Sequence, residues 1–181
     1  MPESKKYVLL DRDGVINHDS DDFIKSPAEW LPIDNSLEAI ALLYKNGYQI
    51  VVITNQSGVG RGLYSDATLT DIHLKMSRLT AAAGGKISHI YYCPHLPDAA
   101  CLCRKPKPGM LHQFSKDADV ALDDIYFIGD SLRDLQAGIS AGAKPLLVKT
   151  GNGTRTLAAN PDLNIPTFEN LYDAAKYILS R

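Results

Sequence analysis

Short apolar runs alternate with amphipathic stretches along the chain. Residues 7–10, Tyr-Val-Leu-Leu, are apolar and stop at Asp11. Residues 48–54 are rich in β-branched types and give way to the polar Asn55, Gln56 and Ser57. Residues 87–92, 125–128 and 145–148 repeat the pattern. Nearly continuous apolar runs of this length suit parallel strands covered on both faces. Between them the period changes to that of a helix. Leu37, Ile40, Ala41 and Tyr44 fit one helical face, closed by Asn46-Gly47. Ser65 is a good N-cap for a longer helix carrying Leu69, Ile72, Met76, Leu79 and Ala83, ended by Gly84-Gly85. Met110, Leu111 and Phe114 mark a third helix. Leu132, Leu135 and Ile139 mark a fourth, stopped by Gly142, and Leu171, Ala175 and Ile178 a fifth. Residues 150–166 are polar with Gly and Pro and read as a long surface loop. Strands alternating with helices predict an α/β, doubly wound, Rossmann-like and mainly parallel sheet.

The chain has 181 residues, 45% of them hydrophobic, which suits a single domain spanning 1–181. A formal net charge of −2 disfavours a dedicated nucleic-acid binder. No apolar run approaches the roughly 20 residues that span a bilayer, and the first is too short for a signal-peptide core. Three cysteines cannot all pair within one chain, so a disulfide-stapled secreted domain is disfavoured. The expectation is a cytoplasmic monomer with a small-molecule substrate and neither nucleic-acid nor membrane partner.

In open α/β sheets ligands bind beyond the carboxyl ends of the strands. After the first strand come Asp11, Asp13 and Gly14. After the second come Thr54, Asn55, Gln56 and Ser57. The third leads through Cys93 and His95 to Arg104-Lys105, and the fourth to Gly129, Asp130, Ser131 and Asp134. Such a rim of carboxylates, hydroxyls and cations is not required by the fold, so it points to a site. Asp11-Arg12-Asp13-Gly14 is not an EF-hand loop: Val15 occupies the next ligand position, and a strand precedes it. Carboxylates at two strand ends can hold one Mg²⁺ through oxygen ligands. A carboxylate beside that ion can attack phosphorus, and a second, two residues on, can exchange protons with the leaving oxygen and with water. Thr54 and Lys105 offer a donor and a cation to the transferring oxygens.

These residues, taken together, resemble the haloacid dehalogenase superfamily of aspartyl-phosphate phosphatases, in its histidinol-phosphatase and heptose-bisphosphate phosphatase branch. The matching segments are residues 10–17 (Leu-Asp-Arg-Asp-Gly-Val-Ile-Asn), 53–58 (Ile-Thr-Asn-Gln-Ser-Gly) with Gly60-Arg61-Gly62, 93–95 (Cys-Pro-His), 101–106 (Cys-Leu-Cys-Arg-Lys-Pro) and 129–131 (Gly-Asp-Ser). They run in the family's order over about the first 150 residues. The resemblance implies Asp11 as nucleophile and Asp13 as general acid/base. It implies Mg²⁺ on the Asp11 carboxylate, the Asp13 main-chain carbonyl and the Asp130 carboxylate. Thr54 and Lys105 would stabilise the phosphoryl group, Arg104 would recognise substrate, and Asp134 would act behind the metal ligands. The chain has no room for a large inserted cap, so specificity falls to loops: Asp19, Ser20, Asp21 and Asp22, then Asn55, Gln56 and Ser57, then Ser131. Ser131 stands where some relatives carry Lys, and acids occupy part of a stretch that is His-Gly-Tyr in well-known members. Both leave the anomer preference open.

Cys93, His95, Cys101 and Cys103 use every cysteine. Their spacing allows either a zinc site, over a loop of about 93–103, or unligated loop thiols. In the branch this set holds a structural Zn²⁺, with no open position for water. The main apolar residues available to pin that loop are Leu96 and Leu102. Residues 58–62 lack the Gly-Lys-Ser/Thr ending of a phosphate-binding P-loop and read as a backbone turn near substrate. His18, His73, His89 and His112 have no partner pattern, and His73 reads as a helix-surface or boundary residue. The resemblance makes a heptose 1,7-bisphosphate, losing its C7 phosphate during nucleotide-activated heptose synthesis, the first expected substrate. Histidinol phosphate is the second. From other classes, a phospho-acceptor receiver domain would place its acceptor after the third strand, where this chain has Cys93. A catalytically dead zinc-stabilised binding domain would not need the complete acid set.

Overall fold

The computed structural model describes residues 5–181. Six strands form one parallel sheet: β1 (Lys6–Leu10), β2 (Tyr48–Asn55), β3 (Ile87–Cys93), β4 (Tyr126–Gly129), β5 (Lys144–Val148) and β6 (Thr167–Phe168). Their order is β3-β2-β1-β4-β5-β6. Chain direction across the sheet reverses at β1, which pairs with β2 on one side and β4 on the other. The crevice at that switch is where such sheets bind ligands.

The period of two along each strand divides the core. Val8 and Leu10 of β1, with Ile50 and Val52 of β2, face one layer: α1 (Ser36–Lys45), α3 (Asp66–Ala82) and α7 (Leu171–Leu179). Leu9, Val51 and Ile53 face the other, formed by α4 (Gly109–Ala118) and α5 (Leu132–Ala141). The apolar runs are continuous because both faces are covered. The capping signals hold as well. Ser65 accepts a hydrogen bond from Thr68 N (3.1 Å), and Gly142 ends α5 at φ 82°. Ile139 departs from the expected face: it is exposed, and α5 buries Leu135, Ala137 and Gly138 instead.

Two elements escaped the sequence pattern. The stretch 150–166 is not one long loop, because it contains α6 (Gly153–Ala159). β6 extends the sheet after it, and two residues are too few to show a period. Residues 58–62 begin within a helical turn, α2 (Ser57–Gly60). There the missing Cβ of Gly58 makes room for the Tyr64 ring, 2.2 Å from where that atom would lie.

The segment between β1 and α1 crosses the carboxyl edge of the sheet. It is held down by Ile24 and by Trp30, whose side chain is fully buried in the core layer of α1, α3 and α7. From α3, Lys75 Nζ donates to the carbonyls of Pro27 and Trp30, both at 2.7 Å. Trp30→Ala should therefore destabilise the fold by about 3–5 kcal/mol, as expected for emptying a large aromatic site. Chemical denaturation measures this. A loss below about 1 kcal/mol would mean that the segment is anchored elsewhere.

Candidate active site

The ends of β1 to β5 deliver polar residues to one cavity of about 470 Å³. Asp11 and Asp13 come from the loop after β1, and Asn55, Gln56 and Ser57 from the end of β2 and the start of α2. Arg104 and Lys105 follow β3, and Asp130, Ser131, Arg133 and Asp134 follow β4. Asp19, Ser20, Asp21, Phe23 and Ile24 form one wall, with Arg61, Pro97 and Asn152. Asp22 is exposed and does not line the cavity; in the same turn Asp22 N donates to Ser20 Oγ (3.1 Å). Phe23 adopts a left-handed φ of 65°, a strained conformation for a bulky residue. Its ring lies 5.6 Å from the Arg61 guanidinium.

Lys105 lies at the floor. Its Nζ donates to Asp11 Oδ1 (2.9 Å) and the Ile53 carbonyl (2.8 Å), and lies 2.7 Å from Asp134 Oδ1. Burial lowers the pKa of such an ammonium, but Asp11 and Asp134 outweigh it, so the group stays charged with its pKa raised. Asp134 spends its other oxygen on the start of α5. Oδ2 accepts from Asp130 N (3.2 Å), Ser131 N (3.1 Å) and Ser131 Oγ (2.8 Å), a capping box. It is thereby committed to the scaffold.

Asp11, Asp130 and Asp134 bring carboxylate oxygens within 4.8 Å of one another. Three buried carboxylates against one ammonium leave excess negative charge. Burial first, then Asp134, raises the Asp11 pKa well above the carboxylate range, and the same causes bring Asp130 to about 7. A hard divalent cation suits such a donor set. The backbone makes room beside it: Cβ atoms at Gly14 or Gly151 would lie 2.0 and 2.3 Å from Asp130 Oδ2, and both residues have positive φ. That close approach lets the loop after β5 dock on the loop after β1, where Thr150 Oγ1 donates to Gly14 O (2.7 Å).

Asp13 is held differently. Oδ1 accepts from Arg12 Nε (3.1 Å), Arg12 Nη2 (2.9 Å) and Asn17 Nδ2 (2.8 Å), whereas Oδ2 accepts from Gln56 Nε2 (3.0 Å). Burial pushes this carboxyl up, but the charge of Arg12 and these donors prevail and hold its pKa low. Gln56 also donates to Thr54 Oγ1 (2.9 Å), and its carbonyl accepts from Tyr64 (2.7 Å). Thr54 is buried beneath Gln56 and does not line the cavity. His73 is not the boundary residue its helix position suggested: it is buried, with Nε2 3.1 Å from Arg12 Nη1.

Three guanidiniums, Arg61, Arg104 and Arg133, also line the cavity. Burial and then the charges of Arg133 and, more weakly, Arg61 lower the Arg104 pKa. Arg133 and Asn152 were missed in the sequence. Arg133 sits among ordinary helix-surface residues, and Asn152 lies in the stretch read as loop. Asn152 N donates to Asp130 Oδ2 (2.7 Å), and its side chain donates to Asp19 Oδ2 (2.8 Å).

Beside the cavity, Cys93, His95, Cys101 and Cys103 converge with donor atoms within 4.8 Å of one another. Cys93 Sγ lies 3.8 Å from Cys101 Sγ and 3.0 Å from Cys103 Sγ, and His95 Nδ1 is 3.3 and 3.2 Å from Cys93 and Cys103. Bonds of about 2.3 Å to sulfur and 2.0–2.1 Å to nitrogen imply tetrahedral edges of about 3.5–3.8 Å, so the set fits Zn²⁺ after small adjustments. Leu102, expected to help pin this loop, is 79% exposed and does not.

The HAD-hyrolase-like family model matches residues 102–174. A Pseudomonas putida protein described as D-glycero-beta-D-manno-heptose-1,7-bisphosphate 7-phosphatase is 48% identical over 174 residues, covering 96% of this chain and 99% of that one. A crystal structure of D,D-heptose 1,7-bisphosphate phosphatase from Bordetella bronchiseptica, complexed with magnesium and phosphate, superposes with a TM-score of 0.94. It has 48% identity and covers 97% of this chain and 98% of that one. The corresponding enzyme from Burkholderia thailandensis gives 0.78, with 42% identity over 98% of this chain and all of its own. Likeness over nearly the whole length, on a fold that gathers these carboxylates at one switch point, identifies the chain as a phosphoric monoester hydrolase: it belongs to the haloacid dehalogenase superfamily, in the heptose-bisphosphate phosphatase branch.

Proposed function

We propose that this protein removes the C7 phosphate of D-glycero-D-manno-heptose 1,7-bisphosphate, a step in making nucleotide-activated heptose for surface polysaccharide. One observation carries the choice of substrate: the same cavity is lined by a carboxylate floor around Lys105 and by three arginines, Arg61, Arg104 and Arg133. A bisphosphate has a phosphate for each. Histidinol phosphate has one phosphate and a cationic amine, which Asp19 and Asp21 suit but the arginines do not.

Asp11 attacks phosphorus, forming a carboxyl-oxygen–phosphorus bond as the bond to O7 breaks. Asp13 gives a proton to the departing oxygen, then takes one from the water that releases phosphate from Asp11. Arg12 holds Asp13 ionised at rest, and the negative charge of an arriving phosphate favours proton uptake there. Lys105, fixed against Asp11, stabilises the transferring oxygens, and Thr54 contributes through the Gln56 network. A Mg²⁺ held by Asp11, the Asp13 main-chain carbonyl and Asp130 would neutralise phosphoryl charge and orient the group for in-line transfer. Arg104, Arg61 and Arg133 grip the phosphate that is retained, with Asp19, Ser20, Asp21, Asn55, Ser57 and Ser131 around the sugar. Residues 1–181 act as one phosphatase domain, a monomer whose site residues come from one chain. It operates in the cytoplasm, a reducing compartment that suits thiol ligands. Among the described residues no helix is long and apolar enough to cross a membrane.

Phosphate release measured side by side on both heptose bisphosphate anomers and histidinol phosphate tests the reading. A heptose bisphosphate should be turned over with the highest kcat/KM, and Asp11→Asn should lower kcat by more than about a thousandfold with the fold intact. Preference for histidinol phosphate would overturn the substrate. An Asp11→Asn variant keeping a tenth of wild-type kcat would overturn the nucleophile.

The arginines should separate from the floor by kinetics. Arg104→Ala and Arg133→Ala should mainly raise KM for the bisphosphate, while Lys105→Ala should mainly lower kcat. If Arg104→Ala weakens a sugar monophosphate as much as the bisphosphate, the arginines do not bind the retained phosphate.

The thiol cluster is read as a structural Zn²⁺ site that braces the loop carrying Arg104 and Lys105. Soft thiolates select zinc, and the carboxylate floor selects the harder ion. Protein purified without added metal should contain about one zinc per chain by elemental analysis. Cys103→Ser should lose it together with activity, and added Mg²⁺ should not restore turnover. Full activity in a zinc-free Cys103→Ser variant would reduce the three thiols to loop residues.

A further inference from the structure

Arg12 is fully buried, and its guanidinium carries five N–H donors and no acceptor. Two of its nitrogens converge on Asp13 Oδ1, and the third, Nη1, faces His73 Nε2 at 3.1 Å. Since arginine can only donate, the imidazole must accept at Nε2 and carry its proton on Nδ1. Burial, and next the charge of Arg12, bring the His73 pKa down to about 3, so the ring is a neutral acceptor through the physiological range. His73 is itself fixed, on the face of α3 that buries Leu69, Ile72 and Met76, with its ring tilted 60° to that of Tyr92.

The consequence falls on Asp13. Its two oxygens are unequal: Oδ1 takes three charged or amide donors, while Oδ2 takes one, from Gln56. A proton is disfavoured on the oxygen already facing a guanidinium and is accommodated on the other. We propose that His73 is a positioning residue for phosphoryl transfer: by fixing the third arm of Arg12 it pins Asp13 through Oδ1 and reserves Oδ2 for proton exchange. In the first half-reaction the Oδ2 proton passes to O7 as the phosphorus–O7 bond breaks and the Asp11–phosphorus bond forms. In the second, a proton of the attacking water passes to Oδ2 as the Asp11–phosphorus bond breaks. This rests on Asp13 being the acid/base.

The test is the dependence on leaving group. A sugar alkoxide needs protonation to depart, whereas p-nitrophenolate does not. His73→Met keeps much of the bulk and replaces the ring nitrogen with a thioether, a weak acceptor; His73→Gln can place its amide oxygen near the Nε2 position. His73→Met should lower kcat on the heptose bisphosphate tenfold or more and on p-nitrophenyl phosphate less than threefold, with KM little changed. His73→Gln should recover the sugar rate to within threefold of wild type. Thermal unfolding of each variant checks the fold, and if His73→Met does not fold, His73→Gln against His73→Leu makes the same comparison. Equal losses on both substrates in folded protein, or a His73→Gln variant no better than the apolar one, would overturn the inference. Asp13→Asn on the same two substrates serves as the control. If it shows no leaving-group dependence, the acid/base reading of Asp13 fails; if it does and His73→Met does not, only the role of His73 falls.

Discussion

The ammonium of Lys105 is the constraint on which the site depends. It is buried at the carboxyl edge of the sheet and touches Asp11 after β1, the Ile53 carbonyl on β2 and Asp134 at the start of α5. A charge without water is tolerated only with partners in good geometry. Those partners are supplied by three separate strand ends, so satisfying one cation draws together the loops that flank the switch point. Asp134 then passes the constraint on, because its second oxygen caps α5 and fixes the backbone of Asp130.

A second ion pair, at Arg12, works on the same principle with a different result. Lys105 is a compact charge serving several acceptors, whereas the Arg12 fork is directional and converges on one oxygen of Asp13. Asp11 and Asp13, two residues apart, thus face cations of unlike geometry. Asp11 shares its cation with Asp134 and is pushed toward protonation in a crowded acid cluster, which suits binding a divalent ion. Asp13 stands outside that cluster, its low pKa owed to donors that a phosphate can oppose. One strand end therefore holds two carboxylates in opposite electrostatic environments.

Much of this was readable before folding. Strands β1, β2, β4 and β5 announced themselves because burial leaves apolar runs that stop at polar rims, whereas β3, a half-exposed edge strand, was legible from Ile87, Ile90, Tyr91 and Tyr92. Asp11, Asp13, Asp130, Asp134 and Lys105, which line the cavity, stand after those runs, whereas Thr54, expected with them, lies beneath Gln56. α6 was hidden because Gly151, Asn152 and Gly153 read as loop, although Asn152 reaches both Asp130 and Asp19. His73 was hidden for a different reason. A histidine on the apolar face of a helix has the same pattern whether it packs against carbon or accepts from a guanidinium 61 residues away in sequence. Arg133 and Arg61 show the complementary limit, since surface arginines on short helices and turns are ordinary until the fold aims them at one cavity.

Among the described residues no cap domain is inserted between the strands, so loops wall the cavity. That wall is shared between the 19–24 segment, anchored by Trp30, and the loop from Cys93 to Lys105. The first has its own apolar anchor in the core. The second has almost none, since Leu102 points to solvent and the helix α4 begins only at Gly109. Yet this second loop delivers Lys105 to a buried position where a displacement of an ångström breaks three contacts at once. A segment with few apolar contacts and a strict positional demand requires a crosslink of another kind. Four soft donors, Cys93, His95, Cys101 and Cys103, converge beside it. Hard and soft donors are thus kept apart by the fold: carboxylates gather where the sheet reverses, and the thiols gather at the end of β3, where Cys93 is buried in the core and Cys101 and Cys103 pack against it.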